Sequence, residues 1–278
     1  MSIPSRHPEV AEPQPNRPMQ DLECYPAFGS SGSIHRGDEG SPLTPTLSRR
    51  ARGKKAAFTL AEVLITLAII GVVASMTIPT LVQNYKKKVV ETKLLRVYSL
   101  MNQAIKLSTI DNGPTNTWRT LGYTSATTAS YDDVLEWYNE YLSPYLKTQK
   151  VEKDPDSECL IAYFIDGSAL VISNTIYDMW YYVYAKDVNN PDVVKGVNSF
   201  RFRFSPVILA EYPDRPHYKY VKNPGFATYA FAWDGTFDGA KYSTIESPYG
   251  CYEYYASLCS KLIELNGWKI PDDYPYKF

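Results

Sequence analysis

The sequence predicts an α+β fold in which one long N-terminal helix lies against an antiparallel β-sheet. Three observations carry this reading. From Ala56 to Val82 the chain is apolar, with Glu62 its one ionised side chain. After that run, apolar residues recur at spacings of three and four, the period of a one-faced helix. From Cys159 onward the period shifts towards two, the period of strands.

Residues 1–57 are rich in Pro, Ser, Gly and Arg and show no apolar periodicity, so they read as a disordered leader rather than a domain. Its length suggests translation from an internal start, at Leu43 or Leu47, as an alternative to Met1. Residues 58–82 read as a membrane-spanning helix, since about 20 apolar residues at about 1.5 Å each reach roughly 30 Å. Five basic residues precede the span (Arg49, Arg50, Arg52, Lys54, Lys55) and three follow it (Lys86, Lys87, Lys88), which favours a cytoplasmic N-terminus. A cleaved secretory signal is the rival, with Ala74-Ser75-Met76 imitating part of its cut site, but the apolar helix continues past that point.

The same helix is expected to extend over 83–110. Val90, Leu94, Val97, Tyr98, Met101 and Ile105 make one apolar face, and Asp111-Asn112-Gly113-Pro114 is a strong stop. A helix from Phe58 to Thr109 would be roughly 75 Å long. Pro79 lies inside it, removes one N–H and predicts a kink, read either as packing or as a hinge used in assembly. Gly71 and Ser75 form a small-xxx-small pair suited to close helix contact.

Residues 111–278 are expected to form the globular α+β domain. Asp132-Asp133 before Val134, Leu135, Trp137, Tyr138, Tyr141 and Leu142 predict a short helix over Tyr131–Tyr145, closed by Ser143-Pro144. Cys159–Ile165 and Ala169–Ser173, joined at Asp166-Gly167, read as a hairpin with a two-residue turn. Trp180–Tyr184, the alternating Ser199–Phe204 and Thr228–Trp233 add strands, for a sheet of four or five. A second helix is expected over Ala256–Asn266.

The run Lys54-Lys55-Ala56-Ala57-Phe58-Thr59-Leu60-Ala61-Glu62 resembles the processing site of type IV prepilins and type II secretion pseudopilins. The resemblance implies a pilin-like fold and cleavage by a prepilin peptidase between Ala57 and Phe58, with N-methylation of Phe58. It assigns assembly roles to Glu62 and Pro79. Ala57 departs from the glycine usual before the cut, but is comparably small. The implied partners are the peptidase, other pilin or pseudopilin subunits, an inner-membrane assembly platform and the lipid bilayer. The implied location is a single-pass inner-membrane protein whose C-terminal domain is periplasmic or extracellular, passing into a filament after assembly. The Asp166-Gly167 hairpin, the Asp187–Asn189 loop and the terminal Gly267-Trp268-Lys269-Ile270 are also similar to prepilin-like proteins.

Other chemistries are weakly represented. The chain carries 29 Lys and Arg against 30 Asp and Glu, without a basic stripe, so nucleic acid is not an expected partner. Of the four cysteines, Cys24 lies in the leader. In an oxidising compartment Cys251 and Cys259, the closest in sequence, are the expected disulfide, with a bond to Cys159 as the alternative. No zinc-ligand spacing is present. Asp187, Asn189 and Asp192 are the residues to watch for calcium, against the reading of an ordinary turn with no cofactor. No GxSxG, HExxH, phosphate-binding loop or dinucleotide fingerprint appears, and Asp166 and Asp234 each precede Gly as hairpin signals. The reading is therefore a structural subunit and not an enzyme. The alternatives are a membrane-tethered binding or adhesion protein, which would need neither peptidase processing nor Glu62, and a tethered hydrolase built on carboxylates.

Overall fold

The computed structural model describes residues 59–121, 129–208, 211, 216–242, 249–252 and 255–278. Chain contacts separate a unit ending at Tyr85 from one running from Lys86 to Phe278. Helix α1 (Leu60–Asn112) is the longest element and contains Pro79. Its start is set by Thr59 and Glu62. The Glu62 carboxylate accepts from the Thr59 backbone N–H and hydroxyl, both at 2.9 Å, while the Thr59 hydroxyl accepts from the Glu62 N–H at 3.3 Å. These reciprocal bonds form a capping box and satisfy donors that a bare helix end leaves open.

In the unit from Lys86 onward, α1 buries Val90, Leu94, Val97, Met101, Ala104, Ile105 and Ser108. This is the predicted face, with Ala104 and Ser108 added and Tyr98 only partly covered. A 3-10 turn at Thr115–Thr117 follows α1, and the next helix is α2 (Tyr131–Tyr141), whose N-cap Ser130 exchanges hydrogen bonds with Asp133 in a second capping box. The helix ends four residues earlier than the pattern suggests. Pro144 cannot supply an N–H to the Glu140 carbonyl, and Ser143–Tyr145 tightens into a 3-10 turn.

Six strands follow as an antiparallel sheet in the order β1-β2-β3-β4-β5-β6: β1 (Thr148–Lys153), β2 (Leu160–Phe164), β3 (Ala169–Ile172), β4 (Asp178–Tyr182), β5 (Ser199–Ser205) and β6 (Gly225–Thr228). Strand β1 is the addition to the expected four or five. Its sequence Thr-Gln-Lys-Val-Glu-Lys has little apolar content because it is an edge strand, where charges discourage further pairing. The β2–β3 hairpin forms, but with three loop residues rather than two. The Phe164 N–H donates to the Ser168 carbonyl, and Gly167 sits at φ +75°. That is a type I turn followed by a left-handed glycine, which gives a one-residue bulge. Strand β6 stops at Thr228, so the expected strand over Thr228–Trp233 is displaced upstream. Ala232 adopts φ +54°, a left-handed conformation that ends an extended run.

Alternation along the strands separates two apolar layers. Leu160, Ala162, Phe164, Leu170, Ile172, Met179, Tyr181, Phe200, Phe202, Phe204 and Phe226 pack in one cluster with α1 and α2. Ring stacking is dense where Trp118 lies 4.5 Å from Tyr141 and 5.7 Å from Phe204. On the other face Cys159, Ile161, Ala169, Val171, Trp180, Tyr182 and Val188 form a second cluster. The sheet is therefore buried on both faces. Short helices α3 (Phe237–Lys241) and α4 (Cys259–Leu265) complete the unit, the latter shorter than the Ala256–Asn266 expected because Ala256 is left-handed at φ +47°.

Candidate functional site

The predicted functional residues concentrate at the start of α1. The scissile bond Ala57–Phe58 lies outside the described residues, two positions before Leu60. Glu62 is exposed and, among the described residues, engaged within its own first turn by Thr59. From Leu60 to Tyr85 no residue is buried, and Leu60 and Met76 are 77% and 72% exposed. By length and composition this helix is long and apolar enough to cross a membrane. In water such an unpartnered surface would cost on the order of 25 cal/mol for every Å² left wet, so it needs lipid or other helices.

Three hydroxyls in the span are satisfied internally. The hydroxyls of Thr66, Ser75 and Thr77 donate to the carbonyls of Val63, Val72 and Val73 at 2.9, 2.7 and 3.0 Å. Backbone-directed hydroxyls of this kind carry little desolvation cost in hydrocarbon. Pro79 withholds the N–H that the Ser75 carbonyl would otherwise accept, which makes this turn the weakest in the span. At Gly71, one turn before Ser75, an added Cβ would meet nothing within 4 Å, so the small-residue side is open.

Below the span, polar anchors tie α1 to the sheet. The half-buried Lys93 ammonium donates to the carbonyls of Asp166 and Val183 at 3.1 and 2.7 Å, and desolvation pushes its pKa down. Arg96 pairs with the Asp166 carboxylate at 3.1 Å, and Asn102 donates to the Phe226 carbonyl at 2.8 Å. Glu91 accepts from the Ile270 N–H at 3.0 Å, binding the C-terminal segment to the helix.

Strand β5 holds a feature the pattern did not reveal. Arg201 and Arg203 alternate with the core phenylalanines, as surface residues would, yet both are buried. Each donates to Asp178 of β4 at 3.0 Å, and Arg201 lies over the Tyr229 ring at 4.1 Å. Burial raises the Asp178 carboxyl, but the two guanidinium charges outweigh it and hold the group below the usual carboxylate value. The signal available in sequence was an aromatic excess large enough to cover a second face.

The remaining predicted residues take local roles. Cys251 and Cys259 form a disulfide with a Cα–Cα distance of 4.4 Å, and the Cys251 N–H donates to the Ala240 carbonyl. Asp187 is buried and accepts from Asn198 at 3.0 Å, whereas Asn189 and Asp192 are exposed. Asp166 and Asp234 accept from Ser168 and Thr236 within their own turns, as turn-forming aspartates do.

Residues 52–78 match the prokaryotic N-terminal methylation motif, which is the prepilin-type cleavage and methylation signature. No curated protein and no solved structure matches the chain. Residues 80–278 match a family of unknown function, DUF6613, and as this is well over half of the chain, the protein belongs to that family.

Proposed function

We propose that this protein is a structural subunit of a type II secretion pseudopilus or a type IV pilus-like filament. The observation that carries the reading is the coincidence of the methylation motif with an apolar span, from Leu60 to Tyr85, in which no side chain is buried. The span first holds the precursor in the inner membrane, its leader cytoplasmic and residues 111–278 outside. A prepilin peptidase then cuts between Ala57 and Phe58 and methylates the new amine. The assembly platform finally transfers the helix from lipid to neighbouring subunits, where Glu62 meets the cationic Phe58 terminus of another copy. An isolated carboxylate costs roughly 2.5–3.5 kcal/mol at the centre of a span, and such a pairing offsets part of that cost. Pro79 would supply the turn that yields as the helix changes surroundings.

Co-expression with a prepilin peptidase tests the reading through intact mass. The expected product begins at Phe58 and carries one added methyl group. A chain that remains uncut, as a tethered binding protein would, overturns it.

A further inference from the structure

The C-terminal segment brings a lysine to the membrane-proximal end of α1. Lys269 and Lys88, 181 positions apart in sequence, reach the same Glu91 oxygen, at 3.4 and 3.7 Å. Glu91 has only 13% of its side chain exposed and its other oxygen holds the Ile270 N–H, while Lys88 and Lys269 are 64% and 56% exposed. Two ammonium groups thus share one committed carboxylate. The contact with Lys269 holds the Lys88 pKa below the ordinary lysine value, while Lys88 and Glu91 hold that of Lys269 above it. Lys86, exposed, and Lys87, half-buried, add two further charges.

The chain is bent to place Lys269 there. Gly267, at φ +68°, closes α4 as left-handed C-terminal residues do, but Trp268 is also left-handed at φ +61°. A bulky residue rarely adopts that conformation, held here by the Trp268 N–H on the Ile263 carbonyl and by ring contact with Tyr98 at 4.9 Å. The position relative to lipid follows from chain length alone. Lys88 is three residues after Tyr85, so its Cα lies within about 11 Å of that of Tyr85 whatever the local geometry. The segment Gln83-Asn84-Tyr85 after the apolar run has the composition of a membrane interface.

We propose that Lys88 and Lys269, with Lys86 and Lys87, form a binding site for the phosphate of an anionic phospholipid headgroup in the leaflet facing the globular domain. A lipid phosphate fits because it supplies the negative charge that Glu91 alone does not, at the depth where headgroups lie. The site would fix the domain at the bilayer surface before the helix leaves the membrane. The inference rests on the membrane-spanning part of the reading above, and not on filament assembly.

The test uses the full chain in nanodiscs made from phosphatidylcholine alone or from equal parts of phosphatidylcholine and phosphatidylglycerol, with lipid retained on the protein measured by native mass spectrometry. Wild type should retain phosphatidylglycerol in preference. Lys88→Gln and Lys269→Gln should each reduce that retention about fivefold, as expected for roughly 1 kcal/mol per surface lysine. Unchanged thermal melting of both variants in phosphatidylcholine discs would show the fold intact, and Lys277→Gln, distant in sequence from the cluster, should retain lipid like wild type. Equal retention by Lys269→Gln and wild type overturns the proposal, as does displacement of the lipid by millimolar inorganic phosphate, which would mark a soluble-anion site. Insertion without lipid preference would defeat this inference and leave the anchoring intact. Failure to insert into either disc would defeat both.

Discussion

The two parts of helix α1 obey different rules although no break in the helix separates them. From Leu60 to Tyr85 the helix is apolar on every side and buries nothing; from Lys86 to Asn112 it is apolar on one face and buries that face in a core shared with the sheet and α2. The first part draws its stability from its own hydrogen bonds and from whatever apolar surroundings it enters. The second draws on side-chain packing, where Leu94 and Met101 are wholly buried. One part is consequently free to exchange partners, and the other is fixed. A filament subunit of the kind proposed, which would leave lipid without unfolding, requires both.

Substitutions should separate the parts cleanly. Leu94→Ala is expected to cost the globular unit about 2–5 kcal/mol, because it empties a site with no solvent access. Leu64→Ala, in the exposed span, should leave the melting of that unit unchanged. Thermal unfolding of both variants in detergent checks the pair, and equal losses would break the distinction.

Removing the disulfide by Cys251→Ala with Cys259→Ala should cost about 2.5 kcal/mol, the chain-entropy value for so short a loop. Chemical denaturation measures it, and the loss should appear without any change in membrane insertion. Asp178→Asn should cost about 1.5–3 kcal/mol by weakening two charge-assisted bonds to Arg201 and Arg203. Because the Asp178 pKa is depressed in the fold, its contribution is complete above the unfolded carboxylate value of about 4 and is lost as pH falls through the folded value. Melting temperature followed downward from pH 7 should therefore fall less below pH 4 in Asp178→Asn than in wild type. The smallest effect belongs to Ser130→Ala, where loss of the α2 cap should cost about 1 kcal/mol by denaturation and touch nothing in the span.

What could be read from the sequence follows from where single periodicities rule. The apolar span, the face Val90–Ile105, the stop near Asn112 and the Ser199–Phe204 strand each have one dominant pattern, and each appears. Strand β1 was illegible because an edge strand carries charges where an inner one carries valines. The hairpin loop was misjudged by one residue, since Asp-Gly serves both two-residue turns and the bulged three-residue turn found here. Arg201 and Arg203 occupy the alternate positions of a strand where a solvated face is usual; only the fold brings Asp178 and Tyr229 to cover them. At the functional end, Glu62 stands out in sequence by its charge, but its bonds to Thr59 required coordinates. The convergence of Lys269 on Lys88 likewise depends on Trp268 turning left-handed, which no local pattern announces.

The central claim is that Glu62 is held for a neighbouring subunit rather than for its own helix, and Glu62→Gln isolates it. Glutamine retains the capping geometry with Thr59, since both residue types serve at that position of a capping box, but it removes the charge. The measurement is the share of the variant recovered in sheared filaments when it is expressed beside wild type. The account predicts normal cleavage before Phe58, normal insertion and near absence from the filaments. Recovery of Glu62→Gln in filaments at the wild-type share would contradict it.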